Sequence, residues 1–142
     1  MDSIVSISTP LGRGAISIVR MSGKDSLKIA LKFFHTNKKE ITPRYMNFGK
    51  LELDKGIFEE CLMVYFKAPF SYTGEDIVEF QIHGGILIAQ KVLETCLKNG
   101  CHLAEPGEFS KRAFLNGKIT LDKAEAIIGE INAESEAELN SS

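Results

Sequence analysis

The chain has 142 residues, 44% hydrophobic and 25% charged, and its net charge of −2 at pH 7 gives no argument for a basic nucleic-acid-binding surface. The longest apolar run, 61–66, is far shorter than the ~20 residues that span a membrane, which argues against a membrane protein. Three cysteines without a CxxC pair argue against a disulfide framework and a zinc site, so we expect a cytoplasmic protein without a metal.

Two segments rich in β-branched residues, 2–8 and 15–21, flank the turn TPLGRG and predict two neighbouring strands. The glycines of this turn raise the question of a phosphate-binding loop. A Walker loop carries Lys-Ser/Thr and runs into a helix, whereas these glycines run into an alternating strand. We therefore interpret the turn as a connection between strands.

Hydrophobic spacing and turn residues predict the remaining elements. In chain order they are a helix over 22–34, strands over 45–53, 60–67 and 75–83, a helix over 86–97, a short strand over 101–104 and a helix over 106–115. Ser22 and Asp25 resemble a capping box for the first of these helices. The pattern predicts an α+β fold with a mixed or antiparallel sheet of five to six strands, two to three helices and a further C-terminal helix.

The C-terminal helix, from Thr120 as its N-cap, is acidic. Residues 119–142 carry a net charge of −5, whereas the first 118 residues carry +3. The apolar stripe of this helix consists of Leu121, Ala124, Ile128 and Ile131. Because the stripe has no evident partner in the preceding elements, we expect a neighbouring domain or chain to order the helix.

Arg20 is the first candidate functional residue. In the strand 15–21 it shares a face with Ile16 and Ile18. A guanidinium on such a face needs an acidic partner or a ligand, unless it lies at the strand end and reaches water. The sequence leaves both interpretations open.

The segment SYTGEDIVEFQIHGG, 71–85, carries a polar row that ends at a helix start. Alternation places Glu79 and His83 on one face of the strand. Gly84 and Gly85 would let a ligand approach the helix-start amides, which favour anions. We therefore consider a pocket formed by Glu79 and the corner of His83, Gly84 and Gly85; the alternative is a solvated strand face with a tight turn.

The segment PGEFSKRAFLNGK, 106–118, supplies cations. We interpret Lys111 and Arg112 as a solvated helix edge, and Lys118 as a cation just past the end of the helix. The spacing of the three histidines assembles neither a catalytic triad nor a metal centre, so we assign no catalytic residue. The residues alone therefore indicate an α+β domain that binds a ligand.

Three separated blocks carry a family resemblance: DSIVSISTPLGRGAISIVRMSG, FKAPFSYTGEDIVEFQIHGG and LAEPGEFSKRAFLNGKITLDKAEAI. In this order they resemble the N-terminal domain of the bacterial tRNA-modification GTPases called MnmE or TrmE, over about residues 2–133. The resemblance implies a tetrahydrofolate-binding, aminomethyltransferase-like domain over 1–118. Residues 119–142 would then begin a helical domain into which the family inserts a GTPase domain.

The resemblance also implies a function. It implies binding of 5-formyl- or 5,10-methylene-tetrahydrofolate and formation of a homodimer. In the family, the whole protein modifies the wobble uridine of certain tRNAs together with a flavoprotein called MnmG or GidA. GTP, magnesium and potassium belong to the GTPase domain, whose Walker motif is missing from this sequence. We therefore expect an N-terminal part that does not hydrolyse GTP by itself.

The family's folate contacts fall, by matching motif positions, on Arg20 in ISIVRMSG, Glu79 in EDIVEF and Lys118 in FLNGK. A carboxylate accepts two parallel hydrogen bonds from the donor edge of a pterin, while cations suit the carboxylates of the glutamate tail. SYTGED also resembles a segment of the glycine-cleavage aminomethyltransferases. A stand-alone one-carbon transferase is therefore one alternative, and a dimerisation module without folate is another.

Overall fold

The computed structural model describes residues 2–9, 16–54 and 56–141, except for the side chains of residues 135 and 138–141. In this described part, seven strands form one sheet, accompanied by four helices. The strands are β1 Ile4–Ile7, β2 Ser17–Ser22, β3 Phe34–His35, β4 Asn47–Asp54, β5 Ile57–Phe66, β6 Ile77–Ile82 and β7 His102–Leu103. The helices are α1 Ser26–Ala30, α2 Gly85–Lys98, α3 Glu108–Leu115 and α4 Leu121–Ser141. The glycine turn at 10–14 lies outside the described residues.

The sheet has the order β3-β4-β5-β6-β2-β1-β7. The pair β1–β7 is parallel, and the other neighbouring strands are antiparallel. β2 lies between β1 and β6, so Arg20 has Ser6 as its partner on one side and Glu79 on the other. This arrangement confirms the predicted α+β class and the mixed sheet.

The core lies between the sheet and its helices. α2 packs against β1, β2, β4 and β6, and α1 packs against β6. Alternation along β6 directs Val78, Phe80 and Ile82 into this core, where all three are fully buried. Their removal from water supplies the main driving force for folding. The same alternation directs Glu79 to the second face of the sheet.

The first predicted helix, 22–34, is shorter in the structure. α1 spans five residues, and Ser22 belongs to β2 rather than to a helix start. The hydroxyls of Ser22 and Thr73 share a hydrogen bond of 2.7 Å, and Asp25 makes no side-chain cap bond. The predicted capping box of Ser22 and Asp25 is therefore wrong.

Phe34, the last residue of the predicted helix, instead forms the edge strand β3 with His35, beside β4. Gly49 of β4 makes this pairing possible, since a side chain at that position would collide with the Phe34 ring. A glycine inside a strand often marks such a close approach. The sheet therefore has one strand more than the sequence predicted.

Helix α4 begins after Thr120, whose Oγ1 accepts a 3.2 Å hydrogen bond from the amide three residues on, as predicted for an N-cap. Ala124 is buried, Ile127, Ile128 and Ile131 are half-buried, and the helix packs against α3. The expectation that the stripe lacks a partner within the chain is therefore wrong for Ala124, Ile128 and Ile131, whereas Leu121 stays 51% exposed. None of the helices in the described ranges has the length and hydropathy needed to cross a bilayer.

Candidate functional site

Arg20 and Glu79 form an ion pair between the two central strands β2 and β6. The Nε and Nη2 atoms of Arg20 both lie 2.6 Å from Oε2 of Glu79. The side chains are 28% and 14% exposed, so the pair is less screened than a surface ion pair. Of the two interpretations of Arg20, the structure thus favours the one with an acidic partner, which is Glu79. No described residue donates a hydrogen bond to Oε1 of Glu79, so this oxygen can accept a further donor.

A cavity of about 510 Å³ opens beside Arg20. Small-molecule sites commonly have volumes of roughly 300–1,000 Å³. The sheet supplies polar side chains to this cavity, and α4 supplies apolar ones. Side chains that line it include Ser6, Arg20, Tyr72, Phe109, Ile127 and Ile131.

Helix α3 fixes two of these lining residues. The ring centroid of Phe109 lies 5.9 Å from Cζ of Arg20, within the range of a cation–π contact. The hydroxyls of Ser110 and Tyr72 share a 2.8 Å hydrogen bond. Arg20 is therefore held by Glu79 on the sheet and by Phe109 above it.

Arg112 of α3 is a second, more deeply buried arginine, with 4% of its side chain exposed. Nη1 donates to Oε1 of Glu75 at 3.1 Å, and Nη2 donates to Oε2 of Glu108 at 3.3 Å. The interpretation of Lys111 and Arg112 as a solvated edge is therefore wrong for Arg112, although Lys111 is exposed. One guanidinium joins two carboxylates beneath the surface.

Lys118 lies in the connection between α3 and α4. Its amide donates to the Ala113 carbonyl at 2.8 Å, and its side-chain stem lies beside Gly74. Among the described residues, Lys118 makes no hydrogen bond or ion pair with Arg20 or Glu79. The structure thus brings together two of the three sequence-predicted contacts, and the role of Lys118 stays a prediction.

The corner at His83, Gly84 and Gly85 lies at the other end of β6. His83 lines a separate cavity of about 300 Å³ together with Phe48, and Glu79 does not line that cavity. Gly84 and Gly85 have φ angles of 114° and 82° at the start of α2, which glycine adopts most readily. The structure does not join Glu79 to this corner, whose ligand-binding role stays a prediction.

The residues that complete the cavity beside Arg20 were not among the site residues predicted from the sequence. Ser6 faces Arg20 only because of the register between β1 and β2, which the sequence does not reveal. Ile127 and Ile131 have helical spacing, which was a usable signal for a shared face. Their position over the sheet depends on how α4 packs on α3, and no local pattern predicts that packing.

Comparison with known proteins supplies a family. The sequence profile described as "GTP-binding protein TrmE N-terminus" matches residues 3–118. The chain belongs to this family. It is 53% identical over 136 residues to the tRNA modification GTPase MnmE of Aquifex aeolicus, covering 95% of this chain and 30% of that protein. It is 50% identical over 139 residues to the MnmE of Thermotoga maritima, covering 98% of this chain and 31% of that protein.

The chain corresponds to the N-terminal domain of the MnmE family. It is also 49% identical over 136 residues to the MnmE of Campylobacter concisus, again covering 30% of that protein. The chain thus spans about 30% of the length of these relatives. The residues matched by the TrmE profile include Arg20, Glu79 and Lys118.

Proposed function

We propose that this domain binds 5-formyl- or 5,10-methylene-tetrahydrofolate beside the Arg20–Glu79 pair and joins two copies of the chain as a homodimer. Within a longer tRNA-modification GTPase, it would help to supply a one-carbon unit to wobble uridine, with tRNA and the MnmG or GidA flavoprotein as partners. The observation that carries the proposal is a largely buried carboxylate, held through one oxygen by Arg20, which lines a ligand-sized cavity. Glu79 adjoins this cavity through Arg20 and is not itself one of its lining residues.

The Glu79 carboxylate suits the donor edge of a pterin. The 2-amino group and the neighbouring ring N–H of a pterin are coplanar donors. Because two N–H groups of Arg20 already bond Oε2, the pterin would donate to Oε1. Arg20 bonds only Oε2 and thereby orients the carboxylate, while Oε1 retains its acceptor capacity. Arg20 therefore lies at the pterin end of the proposed ligand, and Lys118 is the proposed cation for the carboxylates of the folate tail.

Exposed apolar side chains on the second face of the sheet support homodimer formation. A row across four strands runs from Phe48 through Leu62 and Gln81 to Ile18. The side chain of Phe48 is 59% exposed. Ile16, which lines the cavity of about 300 Å³ together with Phe48 and His83, is 44% exposed. Leu62 and Ile18 are half-buried, so the apolar part of this row is only partly covered within one chain. Partly exposed apolar side chains of this kind are typical of a protein interface. Because this row borders the row of Arg20 and Glu79, the ligand would bind near the interface.

Calorimetry with 5-formyl-tetrahydrofolate tests the folate proposal. We expect Glu79→Gln to weaken binding tenfold or more, because the amide replaces an acceptor oxygen by a donor. Glu94→Gln is the control, since Glu94 is exposed on α2, away from the second face. Absence of binding heat from the unmodified chain at high micromolar ligand would contradict the proposal, as would unchanged affinity in Glu79→Gln.

Sedimentation velocity tests the homodimer. Phe48→Glu should convert a dimer into a monomer, because it puts a charge into the apolar row. Leu87→Glu is the matched control, since Leu87 is 74% exposed on the first turn of α2. A dimer whose melting temperature folate leaves unchanged would indicate a dimerisation module without folate binding.

A further inference from the structure

Helix α4 supplies the apolar wall of the cavity beside Arg20. Ile127 and Ile131 lie about one helical turn apart, so they share a face of the helix. Both side chains line the cavity, as do Ser6 and Arg20 from the sheet. A molecule that fills this cavity therefore contacts the sheet and α4 at the same time.

The contacts that hold α4 are few and lie in its first three turns. Ala124 is its one buried residue among those described, and Ile127, Ile128 and Ile131 are half-buried. Beyond Ile131, every described side chain of the helix is exposed. Segments with few buried apolar contacts open more readily than the rest of a domain. A modest additional contact can therefore change how firmly α4 is docked.

We infer that α4 senses occupancy of the cavity: the apolar aminobenzoyl part of the folate packs on Ile127 and Ile131 and holds α4 against α3. This inference rests on the proposed function, in which Glu79 takes the pterin. A ligand that contacts only the docked helix favours the docked state, in proportion to its differential affinity for that state. Folate binding and the docking of α4 are then coupled equilibria.

Binding and amide exchange measured on the same proteins test this inference. Ile127→Ala and Ile131→Ala should each weaken 5-formyl-tetrahydrofolate binding about five- to tenfold, because each removes apolar surface that the ligand would cover. Leu121→Ala is the matched control, since Leu121 lies on the same helix, is 51% exposed and does not line the cavity. Its affinity should equal that of the unmodified chain.

Amide hydrogen exchange in the unmodified chain gives a second test, whose result does not depend on whether the isoleucine variants fold normally. Saturating folate should slow exchange of the α4 amides over 125–133 at least fivefold. Suppose that folate binds the unmodified chain and that Glu79→Gln weakens this binding. If the exchange rates in α4 and the folate affinities of both isoleucine variants then stay unchanged, the inference is overturned and the proposed function stands. If the unmodified chain binds no folate, both are overturned.

Discussion

Two arginines in this domain are both paired with carboxylates, yet their surroundings suit different tasks. Arg20 engages one oxygen of Glu79, contacts Phe109 and lines a cavity. Arg112 is 4% exposed and lies between Glu75 and Glu108. The first arrangement leaves acceptor capacity for a ligand, whereas the second binds α3 to the loop before β6. Arg112 therefore has the surroundings of a structural residue, whereas Arg20 is the arginine to which the folate proposal gives a binding role.

Arg112→Met should lower the free energy of unfolding by about 3–5 kcal/mol, because two poorly solvated carboxylates lose their cation. Urea unfolding measures the change. Lys111→Met is the control from the adjacent, exposed position and should stay within about 0.5 kcal/mol of the unmodified chain. Equal stabilities for the two variants would show that the Arg112 network contributes little.

The sequence predicted the surroundings of one arginine and not of the other for a physical reason. Strand alternation has a period of two, so it placed Arg20 on a face with Ile16 and Ile18 and made an acidic partner one of two open interpretations. Lys111 and Arg112 are adjacent on a short helix, and only the packing of α3 decides which of them is buried. Both are long cationic side chains, so the local sequence does not indicate which of the two is buried.

At the scale of elements, the junction of α3 and α4 depends on Gly107. This residue precedes α3 with a φ of 78°, in the left-handed region that favours glycine. A Cβ atom at Gly107 would lie 2.9 Å from Cγ1 of Ile128 on α4. The glycine therefore provides both the turn into α3 and the space in which α4 packs.

Gly107→Ala should cost more stability than Gly117→Ala, although both positions have a positive φ. At Gly117, with φ of 72°, a Cβ meets no atom within 4 Å, so only the conformational cost of about 1–2 kcal/mol applies. At Gly107 the collision with Ile128 adds about 1–3 kcal/mol and should speed amide exchange in α4. Urea unfolding and hydrogen exchange would show the difference; identical behaviour of the two variants would refute a role for this contact.

Elements with a local pattern were predictable, and those defined by a distant partner were not. The spacing of α2 and the stop at Asn99-Gly100 predicted that helix nearly to its ends. β3 has two residues and exists because Phe34 and His35 pair with β4. No periodicity can appear in two residues, although Gly49 inside a strand was a signal of close approach.

At the scale of the whole molecule, three buried free thiols make the stability of the fold depend on pH. Cys61, Cys96 and Cys101 are buried. Burial raises the pKa of Cys61 to about 12, with the nearby Glu59 as a smaller cause, and raises that of Cys101 to about 11. Burial also raises the pKa of Cys96. The folded chain thus retains thiol protons at a pH where an unfolded chain releases them.

Stability should fall as the pH rises above about 8.5, the ordinary pKa of an exposed thiol. Below that pH both states hold the thiol protons, so the thiols add no slope. Above it the unfolded state binds fewer protons, and the loss continues to the folded-state values of about 11 and 12 for Cys101 and Cys61. Between pH 8 and 10, the free energy of unfolding measured in urea should decline less steeply for Cys61→Ala than for the unmodified chain. Parallel declines would show that the Cys61 thiol does not cause this pH dependence.

The candidate site shows where prediction from sequence ends. Motif positions indicated Arg20 and Glu79, and strand alternation gave each a plausible face. The cavity itself needs the register of β1 against β2 and the packing of α4, two long-range features. Sequence patterns report local periodicity, so they predict which side chains share a face but not which faces meet.

Helix α4 extends well beyond the turns that pack against α3. From Ile128, which contacts Gly107, to Ser141 the helix continues for about 20 Å at 1.5 Å per residue. A tilt of about 10° at this contact would displace Ser141 by about 3 Å. Because Gly107 also lines the cavity, a sub-ångström displacement of α4 beside the cavity would be several times larger at Ser141.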